Sequence, residues 1–375
     1  MRALLVDPSL FIAPYDAALS DGLRHAGVDV GWATRALRPS EEAELPVTSV
    51  AMYFYRFSDG ARLWQGTIGK YVKGAEHVLD LMRLKRLAQT YDIVHMQFTV
   101  LPILDVHMMR RVRQSRPVVL TVHDTTPFNG AGVSGLQVRG LGASLREADA
   151  IIVHTDGARR ALMTRGVPEA KISIIPHGPM FLHHIPAPVH DKVPGRWRVV
   201  LFGRLQSYKG IDVLIEALGR IPAGARERLE VIVAGEVLMP IDPLLARAAV
   251  LGIAAPTLQF RLGRLSGQAM ADLLGSADTF VLPYRAIEAS GVLFLVASMR
   301  KWIVASALGA FVDALGDSAA SSGTLVEAGN PDHLAAALLD SVGRRPSATG
   351  MAWAPAWDEI GERTAALYSR LIDAR

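Results

Sequence analysis

In "VVLFGRLQSYKGIDVLIEAL", residues 199 to 218, an apolar β-branched run ends at Gly203, Arg204 follows at once, and Lys209 and Gly210 open a segment of helical period. Two cations five residues apart beside the amides of a helix start suit a diphosphate. Arginine can chelate two oxygens, lysine adds a point charge, and the helix dipole favours the anion. Two solvated surface cations are the plainer reading of the same spacing. The stretch is neither a P-loop nor a G-x-G-x-x-G fingerprint. His123, in "TVHDTTPF", ends an apolar strand and is therefore expected at a cleft mouth. A structural strand-end histidine is the alternative, with Asp124 capping the next turn. Glu288 heads "EASGVLFLVASM" as one carboxylate before an apolar run. It is either a catalytic or ligand-binding group or a loop residue ahead of a buried helix.

Something has to position these groups. Apolar strand candidates recur as "RALLVD", "DIVHMQF", "PVVLTVHD", "AIIVHT", "KISIIPHG", "RVVLFG", "LEVIVAG" and "TFVLPY". Helix-period segments lie between several of them. Ile211, Leu214, Ile215 and Leu218 share one face, with Gly219 as the expected C-terminal stop, and Ser266 caps a helix that buries Met270, Leu273 and Leu274. Continuous apolar strands alternating with amphipathic helices predict parallel sheets covered on both faces. The stretch 177–196 has four prolines and no sustained period, which marks an interdomain linker. The expected fold is α/β: two doubly wound Rossmann-like domains, 1–185 and 186–350, facing across a cleft with ligands at the carboxyl ends of the strands. Residues 351–375 form a C-terminal helix with Ile360, Leu367, Tyr368 and Leu371 on one face, expected to cross back to the first domain.

The composition narrows the function classes. A chain of 375 residues, half of it hydrophobic, can bury two cores. It has no cysteine, so disulfides, thiolate metal sites and cysteine nucleophiles are excluded, and a cytoplasmic location fits. A net charge of +4 does not argue for nucleic acid, and no stretch approaches a membrane span.

"FGRLQSYKGIDVLIEAL" resembles the G-R-L…K-G motif of the retaining glycosyltransferases of family 4, which have the GT-B fold. "DIVHMQF", "PVVLTVHDTTPF" and "ADAIIVHTDGARRALMTRGVPEAKISIIPHG" resemble that family's N-terminal half. "VIVAGE", "SADTFVLPYRAIEASGVLFLVASM", "IVAS" and "SSGTLVEAGNPDHLAAALLDSV" resemble its C-terminal half, so the likeness covers about residues 90 to 342. The resemblance implies a nucleotide-diphosphate-sugar donor held by the C-terminal domain. Gly203, Arg204 and Lys209 would hold the diphosphate, and Glu288, matching the first carboxylate of a Glu-x7-Glu motif, would contact the donor sugar. Ser290, Gly291 and Val292 would present backbone amides at a helix start. His123 would stand near the reacting sugar, making it and Glu288 the catalytic candidates. Two departures are visible. Val296 occupies the place of the second glutamate, which usually receives the ribose, and the first turn, "DPSLFIAPYD", lacks the family's glycines. Tyr15 in that turn and Asp124 are the acceptor-side candidates.

The expectation is a metal-independent hexosyltransferase of polysaccharide or glycolipid biosynthesis, with a glycan or lipid-linked acceptor and no cofactor. His183 and His184 are poorly placed for a metal, and no Asp-x-Asp occurs. Residues 62–89 and 108–116 interleave cations with apolar side chains, which suits peripheral docking on the inner, anionic membrane face; packed helices with solvated cations are the alternative. Residues 129–142, with five glycines, are expected to form an acceptor-side loop. The rival readings are a degenerate member that binds nucleotide or sugar without turnover, and a GT-B epimerase or phosphorylase.

Overall fold

The computed structural model describes residues 1–37, 49–59, 66–125, 135–180, 182, 184–187, 191–287, 290–316, 319–347 and 355–375. It divides into two compact units, Met1–Gly178 with Pro355–Arg375, and Pro179–Ala354.

The first unit is built on a seven-stranded sheet. Its strands are β1 (Arg2–Asp7), β2 (Asp29–Arg35), β3 (Val50–Phe54), β4 (Ile93–Met96), β5 (Val118–Thr121), β6 (Ala150–Val153) and β7 (Ile172–Ile174). All pairings are parallel, in the order β3-β2-β1-β4-β5-β6-β7. Alternate residues feed two cores, as a two-residue pleat requires. Leu4, Val6, Val94, Leu120 and Ile151 pack on one face, and Ala3, Leu5, Ile93, Val119 and Ile152 on the other. The C-terminal helix Trp357–Asp373 lies against the helix Ala13–His25. Glycines make that approach possible, since a Cβ on Gly22 would fall 2.1 Å from the Trp357 carbonyl oxygen and one on Gly361 2.1 Å from Gly22. The helix face foreseen in the sequence buries Ile360, Leu367 and Tyr368.

The second unit has six parallel strands: β8 (Trp197–Phe202), β9 (Leu229–Gly235), β10 (Leu258–Leu262), β11 (Thr279–Leu282), β12 (Trp302–Ser306) and β13 (Gly323–Val326). Their order is β10-β9-β8-β11-β12-β13. Val199, Leu201, Val231 and Val281 enter one core, while Val200, Ile232, Phe280 and Ile303 enter the other. Both sheets reverse strand order beside their first strand, the doubly wound pattern that places ligands at carboxyl ends of strands.

Two local expectations change. The helix beginning at Ile211 runs through Gly219 to Arg220, and the glycine leaves clearance for Leu251 instead of stopping the helix. Of residues 129–142, those up to 134 lie outside the described residues, and Gly135–Glu147 is a helix rather than a loop. There Leu141 and Leu145 pack on the sheet core, which outweighs the glycines' poor helix propensity. No helix of the described residues is long and apolar enough to cross a membrane.

Candidate functional site

The carboxyl end of β8 carries the cation pair. Gly203 sits at φ +115°, a conformation that side chains rarely adopt, and a Cβ there would lie 2.9 Å from Lys209 Nζ and 3.1 Å from Val292 Cγ2. The missing side chain therefore leaves the pocket in which the Lys209 ammonium ends. The chain reaches that lysine through a single 3-10 turn, Ser207–Lys209, and turns into the next helix at Gly210, which is left-handed at φ +66°. A Cβ on Gly210 would meet the Pro283 carbonyl oxygen at 1.9 Å, so only glycine fits.

Lys209 is buried and donates to the Phe202 carbonyl at 3.2 Å and to the Tyr284 hydroxyl at 2.7 Å. Its Nζ also lies 4.7 Å from the centre of the Tyr284 ring. None of these partners is an anion. Burial, with the neighbouring Arg204 second, pushes the amine down to about 7. A cation so placed gains most by meeting an added negative charge. Arg204 is exposed and forms no ion pair among the described residues, so its guanidinium remains available.

Tyr284 links the lysine to the next element, because Ser290 stands beside its hydroxyl. Burial raises that phenol well above its usual range. Ser290 is the N-cap of the helix Gly291–Ser298, and its Oγ accepts from the Leu293 amide at 3.2 Å. Gly291 faces open space and Val292 borders Gly203. Gly203, Lys209, Ser290 and Val292 are thus joined through contacts among Lys209, Tyr284 and Gly203, with Arg204 adjacent in the chain. Glu288 lies outside the described residues. Val296 is wholly buried among Phe280, Leu293 and Ile303, so its side chain belongs to the core.

In the first unit, His123 follows β5 and stacks on Phe98 at 5.1 Å. Its Nδ1 lies 3.1 Å from His154 Nε2, and its Nε2 lies 3.3 Å from Gln97 Oε1. His154 Nδ1 donates to the Ile175 carbonyl at 2.9 Å. His95 Nδ1 is 2.6 Å from the Tyr368 hydroxyl and its Nε2 is 2.6 Å from Thr121 Oγ1. His177 completes a row of four imidazoles at or just beyond β4, β5, β6 and β7, four neighbouring strands. Burial holds His95 and His177 down to about 3 and His154 to about 4. It also lowers His123, with the other imidazoles adding to the effect. All four are neutral at ordinary pH, and His123 alone keeps partial exposure.

Tyr15 is buried in this cluster, its ring 4.9 Å from those of His123 and His177 and 5.2 Å from that of Trp357. Pro14 in the first turn of its helix sets the entry that turns Tyr15 inward, so it packs the histidines and does not project freely. Asp124 is exposed. The first turn spends its amides internally, because Asp7 accepts from the Ser9 amide at 3.2 Å and the Phe11 amide at 2.8 Å. Sequence reasoning missed Tyr284, Gln97, His154 and His177. The histidines carried a readable signal, since "VHM", "VHD", "VHT" and "PHG" each put one at or just past an apolar run.

Other proteins share this architecture. Residues 16–178 match the family model described as Glycosyltransferase Family 4, and residues 196–343 match Glycosyl transferases group 1. No curated protein matches the sequence. Among solved structures, sucrose-phosphate synthase from Thermosynechococcus elongatus is similar with a TM-score of 0.69 at 18% identity, over 100% of both chains. HepE from Anabaena, in complex with UDP and glucose, has a TM-score of 0.66 at 17% identity, covering 99% of this chain and 95% of that one. The lipopolysaccharide outer core galactosyltransferase WaaB gives 0.65 at 14% identity, covering 99% of this chain and 100% of that one. With every strand except β1 lying inside segments that match glycosyltransferase models, the chain is a glycosyltransferase of the GT-B fold.

Proposed function

We propose that the chain transfers a hexose from a nucleoside-diphosphate sugar to a glycan or lipid-linked acceptor, with retention of configuration and without a metal ion. The observation that carries this reading is the buried Lys209 ammonium, whose hydrogen-bond partners among the described residues are neutral, beside Arg204. Two fixed cations supply charge opposite a departing diphosphate, the role a divalent ion fills in other enzymes. In the reaction the bond from the sugar's anomeric carbon to the diphosphate breaks. A bond to the acceptor oxygen forms on the same face, and the acceptor proton passes to a phosphate oxygen. The protein contributes position and electrostatic stabilisation: Arg204 and Lys209 on the diphosphate, amides at Gly291 and Val292 beside it, and Glu288 and His123 on the sugar.

HepE is described in complex with UDP and with UDP-glucose, so a uridine donor is the first to test. Melting curves of the full chain with a panel of nucleotides and nucleotide sugars test the donor reading, since ligands that bind only the native state raise the midpoint. No shift with any nucleoside diphosphate would remove it. A lipid-linked acceptor is supported by the helix Gly66–Ala88, which exposes Leu79 and Met82 close to Lys85 and Arg86, with Tyr71 exposed nearer its start. On the helix Pro102–Arg113 the cations Arg110 and Arg113 are committed to Glu147 and Asp149. Membrane attraction therefore falls mainly to the first helix. Co-sedimentation with anionic but not neutral vesicles is the expected result; equal binding to both would remove the role of the cations, and binding to neither would remove the membrane contact.

A further inference from the structure

His154 and the Ile175 carbonyl fix more than the packing of the cluster. A carbonyl only accepts, so His154 Nδ1 must carry the proton of the 2.9 Å bond. If His154 is neutral, its Nε2 bears a lone pair, and the 3.1 Å contact is then made by a proton on His123 Nδ1. That leaves His123 Nε2 without a proton. The Gln97 side chain beside it offers an NH2 group after a half-turn of its amide, and the amide oxygen then faces His95 Nε2. His95 Nε2–H donates to Thr121 Oγ1, and His95 Nδ1 accepts from Tyr368. This pattern gives all six ring nitrogens of His95, His123 and His154 a partner with three neutral rings. The other arrangement needs an imidazolium at His154, which donates from both nitrogens and forces His123 into the Nε2–H form. Burial opposes it, holding His154 down to about 4.

We propose that His154, anchored on the Ile175 carbonyl, is a positioning residue that locks His123 in its Nδ1–H tautomer, so that His123 presents a proton-accepting Nε2 to a hydroxyl of the bound sugar. The Gln97 amide holds that nitrogen until the hydroxyl displaces it. This deepens the proposed function and rests on its placing of His123 at the sugar.

The tautomer can be read without turnover. In long-range 1H–15N correlation spectra of the full-length 15N-histidine protein, His123 is assigned by its loss in His123→Gln. The expected pattern is a protonated Nδ1 and an unprotonated Nε2. His154→Gln keeps an acceptor near the position of Nε2 and should preserve the pattern, whereas His154→Leu should move the proton to Nε2. With UDP-glucose, donor hydrolysis by His154→Leu should fall in kcat by roughly tenfold or more with little change in KM, and His154→Gln should recover much of it. A protonated Nε2 in the wild type overturns the proposal, and so does wild-type kcat in a folded His154→Leu protein. If His154→Leu does not fold, the wild-type spectrum alone decides. The expected tautomer with no turnover of any donor would defeat the functional reading and leave the positioning role standing.

Discussion

The depressed Lys209 amine leads to a pH dependence that ordinary surface lysines do not give. With the group pushed down to about 7, it is half ionised at pH 7 and only about 3% ionised at pH 8.5. A diphosphate on Nζ binds the ionised form, so affinity for a nucleotide sugar should fall roughly fifteen-fold over that interval, through loss of a proton from the free protein. Stability carries the same signature with a definite sign. The unfolded lysine keeps its proton to about pH 10.4, whereas the folded one releases it near 7, so the unfolded state binds more protons between these values. The cost of burying this lysine is therefore full at and below pH 7 and shrinks as pH rises, by about 1.4 kcal/mol per unit. Lys209→Met removes the titration at the expense of two hydrogen bonds, worth about 1 kcal/mol each. The variant should bind donor weakly at every pH, and its stability relative to wild type should be greatest at pH 6 and decline toward pH 9. Calorimetric titration with UDP-glucose and urea unfolding at matched pH measure both. Flat wild-type affinity from pH 7 to 8.5, together with parallel stability profiles for the two proteins, would refute the reasoning.

Three further substitutions separate the parts of the site. Gly203→Ala puts a Cβ at 2.9 Å from Lys209 Nζ in a left-handed backbone, so it should cost about 1–3 kcal/mol in unfolding free energy and displace the ammonium, seen as lost donor binding. Arg204→Ala should leave the melting temperature within a degree or two while weakening nucleotide-sugar affinity by about 1.5–3 kcal/mol, because the side chain is exposed and free of ion pairs among the described residues. Val296→Glu, which would recreate the motif carboxylate, should instead destabilise the protein by several kcal/mol and fail to tighten UDP binding, since the position is sealed in the core.

What was legible in the sequence follows the strength of the physical signal at each element. Strands such as "RALLVD" and "LEVIVAG" are buried on both faces, so continuous apolar runs announced them, and with them the parallel sheets. Among the other five, β10 carries Gln259 and Arg261 at the sheet edge, β2 contains Gly31 with its Cβ position filled by the Tyr91 hydroxyl, and β13 is four residues long. These three have no continuous apolar run to read, although β3, VAMYF, and β12, WIVAS, do. The cation pair was legible because Arg204 and Lys209 are close in sequence as well as in space. Tyr284 was not, because its contact with Lys209 joins residues 75 positions apart. The histidine row depends on the strand order β4-β5-β6-β7, which makes neighbours of residues that the sequence scatters. The break in the first turn was visible as missing glycines, but only the structure shows Asp7 occupying the turn's amides. Glu288, the residue on which the sugar reading leans most, lies outside the described residues.

The central claim is retaining transfer from a nucleotide sugar, and the sugar released from the donor tests it most directly. Purified full-length protein incubated with UDP-glucose in the presence of a chelator should release UDP slowly when water takes the acceptor's place. One-dimensional proton spectra followed in real time should show the first free glucose with the α anomeric signal of the donor, ahead of mutarotation. Enzyme-dependent glucose release that begins with the β anomer would contradict retention, and the absence of nucleoside diphosphate release from every uridine and guanosine donor tried would contradict the assignment of a transferase site to Arg204 and Lys209.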